Sequence, residues 1–169
     1  MSPAPLAYVG LGANLGSAEG RTPRQTLADA TAVLSALPQT RLHSTSRVYV
    51  SDPVDSNGPP YFNQVACLQT DLPSLELLDR LQSIERDFGR ERPYRNAPRT
   101  LDLDLLMVGD EQTDTTRLTL PHPRMHQRLF VLMPLAELEP ELVIPGHGAV
   151  TDCLAAVQAS RTQHCTPVA

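Results

Sequence analysis

Residues 99–106 read Arg99-Thr100-Leu101-Asp102-Leu103-Asp104-Leu105-Leu106. Leucine and aspartate alternate with period two, which marks a strand with unlike faces. Leu101, Leu103 and Leu105 share one face and turn toward a core. Asp102 and Asp104 share the other, about 7 Å apart. Two carboxylates at that spacing repel modestly unless a cation lies between them. A half-exposed antiparallel strand accounts for the alternation without any further role. A divalent-cation site accounts for it too, since Mg²⁺ takes one or two carboxylates together with substrate phosphates and water.

The chain just upstream bears on that choice. Arg86, Arg90, Arg92, Arg95 and Arg99 fall within fourteen residues, and all 14 basic residues of the chain are arginine. Guanidinium groups clamp phosphate oxygens in pairs. Carboxylates for a metal beside arginines for phosphate make up a phosphoryl-transfer site. Salt bridges with Glu85, Asp87 and Glu91 are the plainer reading for Arg86 and Arg95. Arg99 abuts the strand behind Pro98 and suits that reading less well.

The acidic strand sits in a pattern that predicts the fold. Leu6 to Leu11 reads as a strand leading into GLGANLG. A helix follows, with Thr22 as N-cap, Pro23 at its first position and Leu27, Ala30, Leu34 and Leu37 on one face. His43 to Val50 and Tyr61 to Thr70 read as two strands separated by the loop SDPVDSNGPP. A second helix opens at Pro73, carries the stripe Leu77, Leu78, Leu81, Ile84 and Phe88, and closes at Gly89. After the acidic strand come a hairpin through Gly109-Asp110 to Leu118, a short helix around Arg124 to Leu135, and a small helix over Thr151 to Ser160. The order strand, helix, strand, strand, helix, strand predicts an α+β ferredoxin-like sandwich, mainly antiparallel, with helices packed on one side. The 169 residues fit one domain, 1–169, with residues 163–169 fraying.

Composition narrows the function. A net charge of -5 argues against broad binding to nucleic acid or to an anionic membrane. No apolar run approaches the ~18 residues of a membrane span. Cys67, Cys153 and Cys165 are odd in number and form no Cys-x-x-Cys pair, so a reducing cytoplasm is the expected compartment. GLGANLG lacks the Lys-Ser/Thr ending of a phosphate loop and the glycine spacing of a dinucleotide fingerprint, and reads as a tight exit from the strand. His122 and His126 are four apart, but Pro123 lies between them and no metal-protease glutamate accompanies them. His122 therefore reads as a ligand contact or a helix cap. Tyr61 and Asn63 share a strand face, either as packing and exposure or as a pocket for a flat heterocycle. Gln82 and Glu85 lie one helical turn apart, where a solvated face is the default.

Taken together, YVGLGANLG, YFNQV, GRERPYRNAPRTLDLDLL and RLTLPHPRMHQRLFVLMPLAELEPEL resemble the 6-hydroxymethyl-7,8-dihydropterin pyrophosphokinase family over roughly residues 7–145. The resemblance implies a ferredoxin-like fold and transfer of diphosphate from ATP to the pterin hydroxymethyl in folate biosynthesis. It implies Asp102 and Asp104 as ligands of two Mg²⁺ ions bound with ATP, and Arg90 and Arg99 as catalytic arginines. By position, Leu78, Gln82, Glu85, Arg92, Arg99, Leu105, Arg117, Leu118, Thr119, His122 and Arg128 match the ATP site. Ser51, Val54, Tyr61, Asn63 and Phe130 match the pterin pocket. A single chain without nucleic-acid or membrane partners is expected, with the loop from Arg90 to Pro98 closing over ATP. Some members carry Trp before a Gly-Pro-Arg where this chain has Asn96-Ala97-Pro98-Arg99. Asp52-Pro53 stands for a Pro-Pro pair, and Pro123 for a Tyr. The competing reading is a non-catalytic nucleotide- or metabolite-binding regulatory domain, which would need no paired strand aspartates.

Overall fold

Strand β1 (Leu6–Ala13), helix α1 (Pro23–Ser35), strands β2 (Thr40–Thr45), β3 (Tyr49–Ser51) and β4 (Tyr61–Thr70), helix α2 (Ser74–Phe88) and strand β5 (Asp102–Val108) make up the ferredoxin-like core. The computed structural model describes residues 4–14, 20–52, 59–89 and 100–168. β4 pairs with β1, β2 and β3, and β1 pairs in turn with β5, all antiparallel. Among the described residues β5 is therefore a terminal strand of the sheet.

Local chemistry fixes the helices of this core. Thr22 Oγ1 accepts the Gln25 N–H at 3.2 Å, and Gln25 Oε1 accepts the Thr22 N–H at 2.7 Å. This reciprocal box, with Pro23 behind it, starts α1 where the sequence predicts. The Gly89 N–H closes α2 on the Glu85 carbonyl at 3.0 Å. Both helices lie on one face, where Leu27, Leu34, Leu77 and Leu81 are fully buried against Val9, Leu11, Leu68, Leu103 and Leu105. Each such side chain contributes about 1.5–3 kcal/mol by leaving water.

The second face is covered as well, and the expectation of helices on one side is corrected there. Strands β6 (Thr113–Asp114) and β7 (Thr119–Leu120) pair with each other, and a 3₁₀ turn at Met125–Gln127 leads into helix α3 (Leu129–Leu138). A small ribbon, β8 (Val143–Ile144) with β9 (Gly148–Ala149), precedes helix α4 (Val150–Ser160). Val131, Leu132, Leu135 and Val150 pack on Tyr8, Val65, Cys67, Leu106 and Met107. The cause is legible in the central strands: Val65-Ala66-Cys67-Leu68 is apolar on both faces, and a strand apolar on both faces needs cover on both.

Four local expectations change. The stretch His43–Val50 is two strands, because Ser46 takes both backbone groups of Val65, donating its N–H to the carbonyl at 2.9 Å and accepting the amide with its hydroxyl at 3.0 Å. The predicted hairpin stops at the turn of Gly109, whose N–H donates back to Leu6 O at 2.8 Å. The helix predicted from Arg124 begins only at Leu129, since Arg128 is extended at φ −111° and ψ 113°. Residues 163–169, expected to fray, include strand β10 (Cys165–Pro167), which pairs with β3. There Cys165 is buried against Tyr49 and Leu129.

Candidate active site

In β1, Val9 and Leu11 enter the core of the first face, so Gly10 and Gly12 fall on the second. Register places Gly12 between Asn63 of β4 and Asp102 of β5, and Gly10 between Val65 and Asp104. The Gly12 row thus crosses the sheet with no side chain in the middle, whereas the Leu106 side chain lies over Gly10, 3.6 Å from where a Cβ would stand. A Cβ at Gly12 would stand 3.5 Å from Asn63 Oδ1, directly in the path from Asn63 to Asp102. Gly10 and Gly12 are not a strand exit, as the sequence suggests, but lie within the strand, and Gly12 leaves the floor clear.

A single bulge keeps the aspartates on that floor. Pairing shifts between Tyr8 and Val9, so Leu106 is an extra residue in β5. Asp102 and Asp104 keep the open face, while Leu106 and Met107 both reach the second core. The Leu106 carbonyl accepts the His122 N–H at 2.8 Å, which fastens the His122 segment to the acidic strand.

Beside β5 lies a cavity of about 310 Å³. Leu78, Gln82 and Glu85 of α2 form one wall, Leu103, Asp104 and Leu105 the floor, and residues 115–119 with His122 and Pro123 the far wall. Glu85 Oε2 accepts the Leu103 N–H at 2.8 Å, so this wall is pinned to the floor. Thr115 braces the far wall: its hydroxyl donates to Leu118 O and accepts the Leu118 N–H, each at 3.1 Å. Arg117 makes an ion pair with Asp79 of α2 across the mouth.

The structure therefore brings Leu78, Gln82, Glu85, Leu105, Arg117, Leu118, Thr119 and His122 together with Asp104 around one cavity. Leu103, Thr115, Thr116 and Pro123 line it too and were missed. Leu105 was implied by the resemblance, and Leu103 shares its strand face, but the Thr115-Thr116 turn has no periodic signal.

Arg128 reaches the same strand from the α3 side. Its guanidinium lies 3.7 Å from Asp104 Oδ2 and 5.6 Å from the centre of the Phe130 ring. His122 is the nearby titratable group. Burial holds its pKa below the usual imidazole value, Asp104 opposes that, and Arg128 and Arg124 add to it. The Arg124 N–H donates to His122 Nδ1 at 3.1 Å, so a neutral His122 carries its proton on Nε2.

A polar nest adjoins the glycine floor. Asn63 Nδ2 donates to Ser51 Oγ at 2.7 Å and to Tyr61 O at 3.3 Å, and both Asn63 and Ser51 are buried. Phe130 is half-buried, packed against the cluster of Tyr49, Leu129 and Cys165, with the Arg128 guanidinium over its ring. Arg90, Arg92, Arg99 and Val54 lie outside the described residues.

Among the described residues there is no cluster of three or more histidine, cysteine or acidic side chains able to hold a metal alone. Two carboxylates on one strand face are an oxygen-only, incomplete donor set. Such a set fits Mg²⁺ arriving with a polyphosphate, and does not fit a structural metal. No helix among the described residues is long and apolar enough to cross a membrane.

Residues 8–140 match the family model described as 7,8-dihydro-6-hydroxymethylpterin-pyrophosphokinase. The 2-amino-4-hydroxy-6-hydroxymethyldihydropteridine pyrophosphokinase of Pseudomonas aeruginosa is 45% identical over 150 residues, 88% of this chain and 90% of that one. The proteins of the same name from Haemophilus influenzae and Bacillus subtilis are 44% and 38% identical. Their matches cover 86% and 87% of this chain, and 89% and 86% of their own. The crystal structure of an HPPK-DHPS in complex with substrates shares the fold, with a TM-score of 0.72 over 94% of this chain at 12% identity. This chain spans 45% of that longer one.

Proposed function

The chain belongs to the 7,8-dihydro-6-hydroxymethylpterin-pyrophosphokinase family and is a diphosphotransferase of folate biosynthesis, and we propose how its residues divide the work. It transfers diphosphate from ATP to the hydroxymethyl oxygen of 6-hydroxymethyl-7,8-dihydropterin, giving AMP and the pterin diphosphate. The cavity beside β5 takes ATP, with Leu78, Leu105 and Leu118 against the base and Arg117, Thr119, Gln82 and His122 at polar positions. The Asn63, Ser51 and Tyr61 nest takes the pterin, with Phe130 at its edge. The supporting observation is the row Asn63, Gly12, Asp102, in which an amide for the heterocycle faces a carboxylate for the metal across a floor without side chains.

Asp102 and Asp104 would hold Mg²⁺, two ions in our proposal. Bound there, Mg²⁺ would offset phosphate charge and would acidify the attacking alcohol. The chain's own groups supply the rest. Neutral His122 offers Nε2–H to a phosphate oxygen and serves as a donor, not a base. Arg128 neutralises phosphate charge beside Asp104. Arg90, Arg92 and Arg99, outside the described residues, are proposed for the remaining phosphate charge, which grows as the β-phosphorus is attacked.

The test is AMP release from ATP with Mg²⁺, with and without the dihydropterin. Stoichiometric AMP and pterin diphosphate only when both substrates are present is the expected result. ATP binding with no AMP formed in the presence of the pterin would favour the regulatory reading instead.

A further inference from the structure

Arg128 is an extended residue between a 3₁₀ turn and α3, and its direction is set from outside both elements. α4 ends at Arg161, whose left-handed φ of +55° reverses the chain and brings Gln163 beside residues 127–129. The Gln163 side chain there makes two bonds: Oε1 accepts the Leu129 N–H at 2.9 Å, and Nε2 donates to Gln127 O at 2.9 Å. One amide thus brackets Arg128 on both sides, as a neighbouring strand would. The Leu129 N–H opens α3 and has no partner within the helix, so Gln163 satisfies a group that would otherwise be orphaned beside a buried leucine. The backbone of Arg128 is held as well, its N–H on Met125 O at 3.3 Å and its carbonyl by Val131 and Leu132 at 3.1 and 3.0 Å. With this peptide fixed, the guanidinium points at Asp104.

We propose that Gln163 is a positioning residue for the nucleotide site, acting through Arg128. The inference rests on the reading of Arg128 as a phosphate-binding group. It assigns a role at the site to the C-terminal segment, more than 50 residues beyond the acidic strand. Removing the amide leaves the core intact and lets residues 127–129 relax, so nucleotide affinity falls while the fold persists.

The experiment is a double-mutant cycle on the full chain, reading calorimetric affinity for α,β-methylene-ATP with Mg²⁺, ATP KM and kcat, and thermal unfolding. Gln163→Leu, which keeps the bulk and loses both bonds, is expected to weaken binding by about three- to tenfold, the scale of one or two such bonds. The loss is expected in KM more than in kcat. Gln163→Glu keeps the acceptor for Leu129 and loses the donor to Gln127, and is expected to fall between. In an Arg128→Ala background Gln163→Leu is expected to add nothing. If Gln163→Leu has no effect, or the same effect in both backgrounds, the positioning role is overturned while Arg128 keeps its place. If Arg128→Ala itself leaves affinity unchanged, the phosphate role of Arg128 fails, and the inference fails with it.

Discussion

The Asp104 carboxylate and the Arg128 guanidinium lie 3.7 Å apart, joining the acidic strand to the start of α3. Their side chains are 43% and 27% exposed, so water screens the pair and its worth to stability is small. Its interest is chemical: in the proposed assignment Arg128 balances Asp104, and its guanidinium would turn to phosphate with Mg²⁺ on the carboxylate. Asp104→Asn is therefore expected to leave the melting temperature nearly unchanged. It should lower AMP formation roughly 100-fold or more, as loss of a transition-state charge does. A mutant with near-normal turnover would remove Asp104 from the chemistry.

Gly12 offers a test of the cleared floor. The backbone there is ordinary strand, and the nearest atom to an added Cβ is 3.5 Å away, so alanine fits. Valine also suits a strand, but its branches would project between Asn63 and Asp102. Gly12→Val is expected to fold and to lose pterin affinity at least about tenfold, by analogy with a site blocked at about 1.4 kcal/mol or more. Unchanged pterin binding by calorimetry would show that the row does not carry the heterocycle.

The Asn63–Ser51 bond is buried, which makes it a stability element as well as a candidate recognition element. Asn63→Leu leaves the Ser51 hydroxyl without that donor, and about 1–3 kcal/mol of stability is expected to go with it. Pterin affinity should fall further than ATP affinity. Equal losses of both would point to general loosening of β3 and β4.

Two stacked imidazoles, His126 and His147, sit 3.7 Å apart on the second face. Burial, and then His147, hold the His126 pKa below the usual value of 6.5, and no hydrogen-bond partner among the described residues meets its buried Nδ1. The unfolded chain therefore takes up a proton at His126 before the folded one does. Stability is full above about pH 7, falls as pH drops through the unfolded value, and levels off below the depressed folded one. His126→Phe is expected to flatten this part of the melting-temperature profile, measured between pH 7.5 and 5. A profile identical to wild type would exonerate the pair.

Much of this arrangement could be seen in the residues, and the exceptions have physical causes. Period two at Leu101–Leu105 and the Thr22-Pro23 start are local signals, and local signals place β5 and α1 correctly. Tyr61 to Thr70 is likewise a strand over its full length. Gly12 was misjudged because a glycine in a strand announces its purpose only through its cross-strand neighbours, here Asn63 and Asp102. The tail was misjudged because its order comes from β3 and from residues 127–129, contacts far away in sequence. Arg128 and His122 could be named from the motif, but the bulge at Leu106 that brings His122 to the acidic strand is a matter of register. No stretch of composition encodes it.

The terminal position of β5 carries one more consequence. An outermost strand offers its free amides and carbonyls to any passing chain, and sheets grow by such strand addition. Here the Leu103 N–H is taken by the Glu85 carboxylate and the Leu106 carbonyl by the His122 amide. The walls of the proposed nucleotide cavity thus also cover this edge, and substitutions of Glu85 are expected to lower solubility along with the affinity proposed for ATP.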